Sequence, residues 1–239
     1  MAKIKIYNNS EILADDAARS FLELAEKIIA QKNYLNIALS GGSTPKILFK
    51  ILLDKFTGKI DWSKINVYWV DERCVAPDSS ESNFGEAYRI LFKNISGATN
   101  LFRMKGEDDP AIEAERYGDL LKQNLQGQNG FPVLDLIFLG MGEDGHTASI
   151  FPGQLDLFTK DKVCSESVNP AGGQKRLTLT GKVLNNASNI YFMVTGKNKS
   201  SVIKDVFEKS KKSSEYPVSH IKNDNSVIWF LDKEASSLL

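Results

Sequence analysis

Cysteine and histidine are scarce in this chain, two of each among 239 residues, and neither charge sign prevails, with 30 basic side chains against 30 acidic ones. Each shortage excludes something. Cys74 and Cys164 lie far apart and outside any CxxC spacing, so neither a disulfide framework nor a zinc site can be read from them. They are expected as buried, reduced thiols. A net charge of zero leaves no bulk field to attract a nucleic acid or an anionic membrane surface, so any anion has to be recognised locally. No apolar run approaches the ~20 residues that span a bilayer, and the opening MAKIKIYNNSEILADD has no uninterrupted apolar stretch of signal-peptide length. A cytoplasmic protein, with no nucleic-acid or membrane partner, is expected.

The rest is the composition of an ordinary globular protein, 42% apolar and 25% charged. The length fits one large α/β domain or two small ones, and residues 1–239 are taken as a single domain. Short runs rich in Ile, Val, Leu and aromatics predict strands at Ile4–Tyr7, Leu35–Leu39, Ile65–Val70, Leu134–Leu139, Ile190–Val194 and Val227–Leu231. Several lack polar alternation, as strands covered on both faces do. Between them, helical patterns run over Ile12–Ala30, Pro45–Phe56, Asn83–Phe92, Ile112–Leu125 and Lys199–Lys209. This β-then-α rhythm predicts an α/β fold, a mostly parallel sheet with helices on both faces. Lys105–Pro110 and Gln126–Pro132 read as loops, and Lys209–Ser214 as a solvated helix end.

Chemistry could sit at several of the predicted strand ends. In ALSGGSTPKILFKIL, from Ala38, Gly41 and Gly42 free the backbone for a tight turn, Ser43 and Thr44 can cap, and Pro45 suits the first helical position. Such a turn aims unpaired N–H groups at an anion, although a capped connection with no ligand has the same pattern. No Walker lysine follows, and GGSTP does not match GxGxxG. In DER, Asp71 to Arg73, the arginine offers a planar fork for phosphate or carboxylate and the aspartate an acceptor for sugar hydroxyls, with a surface ion-pair cluster as the plain alternative. In GMGEDGHTASIFPG, from Gly140, His146 closes a glycine-rich turn with Asp144 close by. Histidine is the side chain most easily poised to take a proton near neutral pH, though a lone one is more often structural. There is no HExxH and no carboxylate placed as in a metal triad, so neither metal nor cofactor is expected. Arg176 and Lys197 could add charge beside a phosphate or simply be solvated; His220 reads as a surface or packing residue.

Taken together, SGGSTP at Ser40–Pro45, DER with SNFG at Ser82–Gly85, GMGEDGHTASIFPG at Gly140–Gly153 and VTGKNKS at Val194–Ser200 resemble the 6-phosphogluconolactonases in order and spacing, over nearly the whole chain. The chain departs from the commonest pattern at Cys74-Val75-Ala76-Pro77, where a more direct Val-Pro is usual, with no expected catalytic consequence. The resemblance implies a Rossmann-like open sheet of the NagB/RpiA/CoA transferase-like kind. It also implies hydrolysis of 6-phospho-D-glucono-1,5-lactone, with His146 as base oriented by Asp144. Gly41, Gly42, Ser43, Thr44, Asp71, Arg73, Arg176 and Lys197 would hold the phosphorylated substrate. Glucosamine-6-phosphate deaminase is similar in fold and in its glycine loop, but it has DEY where this chain has DER, and a glutamate where this chain has Phe151. A non-catalytic sugar-phosphate-binding protein is the remaining alternative. A monomer or small homo-oligomer is expected.

Overall fold

A computed structural model describes residues 2–98, 100–222, 224 and 226–239. The chain opens with β1 (Lys3–Tyr7), α1 (Ser10–Lys32), β2 (Leu35–Leu39), α2 (Ser43–Ile51), β3 (Ile65–Trp69), β4 (Asp71–Arg73) and α3 (Asn83–Ile90). It continues through α4 (Pro110–Asn124), β5 (Gly127–Gln128), β6 (Phe131–Pro132), β7 (Leu136–Leu139), β8 (Cys164–Val168), β9 (Lys175–Leu179), α5 (Gly181–Asn186), β10 (Ile190–Val194), α6 (Ser200–Glu208) and β11 (Val227–Asp232). Six strands form the main sheet in the order β1-β11-β10-β7-β2-β3, and every pairing in it is parallel. Of its four interior strands, β2, β7 and β10 are buried at every residue, which explains their nearly unbroken apolar runs.

The pleat sends alternate residues to opposite faces. Leu35, Ile37 and Leu39 meet α1, α2 and α3 through Phe21, Leu48 and Ala87, whereas Ala38, Ile137, Leu139 and Phe192 meet α4, α5 and α6 through Tyr117, Val183 and Ile203. Helices therefore cover both faces, as the β-then-α rhythm predicts.

The second sheet is a departure from the sequence expectation. Asp71–Arg73, expected only as residues following a strand, forms the strand β4, antiparallel to β9, which in turn pairs with β8. The Ser, Glu and Thr content of β8 and β9 hides them from an apolar-run reading. They are strands because Leu177, Leu179, Val163 and Cys164 feed the same core as Ile137 and Leu139. Gln126–Pro132, expected as a loop, contains the small hairpin β5–β6, turned by Asn129 and Gly130 at positive φ (53° and 82°). The pattern over Pro45–Phe56 is α-helical only to Ile51, and Leu52–Phe56 continues it as one π-helical turn.

Candidate active site

The carboxyl ends of β2, β3, β7 and β10 open onto one crevice, the place where open parallel sheets bind ligands. Its cavity measures about 300 Å³. Gly41, Gly42, Ser43, Thr44, Asp71, Arg73, His146 and Arg176 all line it, so residues more than a hundred positions apart face one space.

At the end of β2 the backbone turns through Gly42 at φ 110°, which side-chain-bearing residues rarely adopt. Gly42 is the N-cap of α2 and no side chain caps it, so Ser43 and Thr44 are the first helical residues, not its caps, and Pro45 comes third. An uncapped N-terminus leaves the first N–H groups of α2 directed out of the helix, with the positive end of the dipole behind them. Thr44 Oγ1 lies 2.9 Å from Thr195 Oγ1 and so ties this loop to the one after β10.

The turn after β7 is built for a histidine. Gly142 N donates to His146 O (2.9 Å) and Gly145 N to Gly142 O (3.1 Å), closing a loop with Gly145 at φ 79°. A Cβ on Gly142 would lie 2.0 Å from His146 Nδ1 and 2.5 Å from Asp144 Oδ1, so the missing side chain makes room for that pair. His146 Nδ1 is 2.6 Å from Asp144 Oδ1, which also accepts from the His146 backbone N–H at 3.1 Å. A carboxylate on Nδ1 places the proton there and leaves Nε2 as the basic nitrogen. Burial pushes the Asp144 carboxyl up, but the hydrogen bonds and charge of His146 outweigh it and hold it below the ordinary value. The Phe151 ring packs 4.7 Å from the imidazole, centroid to centroid.

On the second sheet, β4 and β9 set Arg73 directly opposite Arg176. Like charges facing each other across a sheet destabilise it. Arg73 Nη1 donates to Glu81 O (2.6 Å), yet Nε of both arginines is buried without a partner among the described residues. Burial, then the charge of Arg73, holds the Arg176 guanidinium below its usual range. Two desolvated, mutually repelling forks with free donors fit an anion between them.

Not every expected residue converges. Lys197 is exposed and does not line the cavity, whereas Lys199, two residues on, does. Both follow β10, and only the path of the 3-10 turn Lys197–Lys199 decides which of them points inward. Burial lowers the Lys199 ammonium, with Glu143 at 3.8 Å opposing the shift. Asp144 acts on the site only through His146. Ser149, which offers a hydroxyl in sequence but no assigned role, also lines the cavity, and its Oγ donates to the buried Asp71 Oδ2 at 2.7 Å. Of DER, Glu72 serves the scaffold: its carboxylate accepts from Asn83 N, Phe84 N, Arg73 N and Ser82 Oγ at 2.7 to 3.0 Å and caps α3. His220 bonds Ser214 O and packs on Phe158, a packing residue as expected.

A family model described as glucosamine-6-phosphate isomerases/6-phosphogluconolactonase matches residues 8–229. The 6-phosphogluconolactonase of Haemophilus influenzae is 39% identical over 216 residues, 89% of this chain and 91% of its own. Among solved structures, the devB protein is 37% identical with a TM-score of 0.92, each chain covered to 99%. The 6-phosphogluconolactonase from Trypanosoma brucei is 26% identical with a TM-score of 0.87, covering 100% of this chain and 99% of that one.

Proposed function

The chain belongs to the glucosamine-6-phosphate isomerase/6-phosphogluconolactonase family, and on that premise we propose that it hydrolyses 6-phospho-D-glucono-1,5-lactone to 6-phospho-D-gluconate, the lactonase step of the oxidative pentose phosphate pathway. The observation that carries the proposal is the confluence in one cavity of a carboxylate-oriented imidazole, an uncapped helix N-terminus and two guanidinium groups whose Nε atoms have no partner among the described residues.

The substrate phosphate takes the N–H groups at Gly41–Thr44, with Arg73, Arg176 and, in place of the expected Lys197, Lys199 supplying charge. Water sits between His146 Nε2 and C1 of the lactone. As its oxygen bonds to C1, its proton passes to Nε2, and the imidazolium then returns a proton to the ring oxygen as the C1–O bond breaks. Asp144 keeps Nδ1 protonated throughout, so Nε2 is always the nitrogen that exchanges. A lactone is an activated ester, and a positioned base contributes roughly 10²- to 10⁴-fold without a covalent intermediate. Phosphate binding adds orientation.

Phe151 argues against deaminase chemistry, because an aromatic ring beside the imidazole offers no carboxylate for ring-opening proton transfer. Every proposed group comes from one chain, so the activity fits a monomer as well as a small homo-oligomer. Among the described residues no helix is long and apolar enough to cross a membrane; the proposed setting is the cytoplasm. The test is hydrolysis of freshly made 6-phosphogluconolactone by the wild type and His146→Ala side by side, with the spontaneous rate subtracted. Wild-type acceleration that falls at least about 100-fold in the variant is expected. A wild type that binds 6-phosphogluconate without accelerating hydrolysis is a sensor, and one that releases ammonia from glucosamine 6-phosphate is a deaminase.

A further inference from the structure

We propose that Asn83 is a specificity-determining residue that reads a ring hydroxyl of the substrate through its side-chain oxygen. The inference rests on the lactonase assignment and adds a contact to it. Asn83 opens α3, lines the cavity and is only 3% exposed. Its Nδ2 donates to Asp71 O at 3.0 Å and to Asp71 Oδ1 at 3.3 Å. Both partners are acceptors, so the amide has one permissible orientation: turned over, it would set its oxygen against two oxygens.

That orientation leaves Oδ1 as the atom available to a ligand. No donor reaches it among the described residues, and the residue lines the cavity. It lies against the glycine loop, where a Cβ on Gly41 would come within 1.7 Å of it. Asn83 is thus wedged between the anion loop and Asp71, and it cannot drift. Its backbone N–H is held by Glu72 Oε1 at 2.7 Å, and Gly85 N donates to the neighbouring Ser82 Oγ at 2.9 Å.

The chemistry of this wall selects its ligand. An amide oxygen beside the Asp71 carboxylate accepts hydrogen bonds and repels anions, so a phosphate or a carboxylate is disfavoured there. A sugar hydroxyl, which donates, fits. The wall therefore orients the substrate by accepting from its hydroxylated face, while the cations take the phosphate.

The experiment compares kcat/KM of the wild type and Asn83→Ala on 6-phosphogluconolactone and on its 2-, 3- and 4-deoxy analogues. The expected result is a loss of about tenfold or more on the parent lactone that shrinks below about threefold on one deoxy analogue, because that analogue has already lost the contact. An equal loss on all four lactones, or a wild type indifferent to every deletion, overturns the assignment. Should Asn83→Ala not fold, Asn83→Ser supports the same comparison, since it keeps a polar side chain at the start of α3 while its hydroxyl is too short to replace the acceptor. If the wild type does not accelerate hydrolysis of the parent lactone, the lactonase assignment fails and this one with it. If it does and the losses are uniform, only the role of Asn83 fails.

Discussion

At the scale of single residues, the site depends on which atoms are held and which are left free. Asp144 holds Nδ1 of His146 at 2.6 Å, so Asp144→Asn should let the imidazole take the wrong tautomer and lower kcat at least about tenfold, with KM nearly unchanged in steady-state kinetics. The same pair has a pH signature. The Asp144 carboxyl titrates below its ordinary value of 3.8 in the folded protein, so its contribution to stability is present above that value and is lost as pH falls through the lower, folded one. The difference in Tm between wild type and Asp144→Asn should therefore shrink as pH falls below about 4. Among the cavity cations, Arg176→Ala and Lys199→Ala should raise KM for the phosphorylated lactone far more than for unphosphorylated gluconolactone. Lys197→Ala, at an exposed residue outside the cavity, should stay within about twofold of wild type on both.

Among the elements, the loops that carry the chemistry are held by buried polar groups that no periodicity reveals. Glu72 is the clearest. Burial pushes its carboxyl up, while the backbone N–H groups of Phe84, Asn83 and Arg73 pull the other way. Glu72→Gln removes a buried charge, but it turns an amide NH₂ toward groups that themselves donate. The orphaned donors should decide the sign, giving a loss of roughly 1–3 kcal/mol. In a chain of this length each 1 kcal/mol lowers Tm by about 2–4 °C, which thermal unfolding followed by circular dichroism would detect. The long elements were legible: Leu35–Leu39 and Ile190–Val194 are strands with the predicted bounds, because burial on both faces writes itself as a nearly unbroken apolar run. β4, β8 and β9 were not legible. Asp71–Arg73 is three polar residues that become a strand only when β9 lies alongside.

For the molecule as a whole, the two sheets share one core, with Leu177 and Leu179 of β9 packed in the same cluster as Ile137, Leu139 and Phe192 of the main sheet. We propose on this basis that residues 1–239 unfold as a single unit. Trp62 and Trp69 lie in the core on one face of the main sheet and Trp229 in the core on the other, so tryptophan fluorescence samples both faces. Urea unfolding followed by fluorescence and by far-UV circular dichroism should give coincident midpoints. Two separated transitions would divide the chain into independent parts.

The sequence by itself determined the parallel sheet, the helices on its two faces and the types of most groups in the candidate site, because apolar periodicity, glycines at tight turns and a histidine after DG are local properties of a chain. Only the tertiary structure decided that Lys199 rather than Lys197 enters the crevice, that Arg73 faces Arg176, and that Glu72 belongs to the scaffold. Those outcomes depend on the path of a 3-10 turn, the register of an antiparallel pair and the place where α3 begins. Each is set by contacts between segments far apart in the chain, and no local pattern records them.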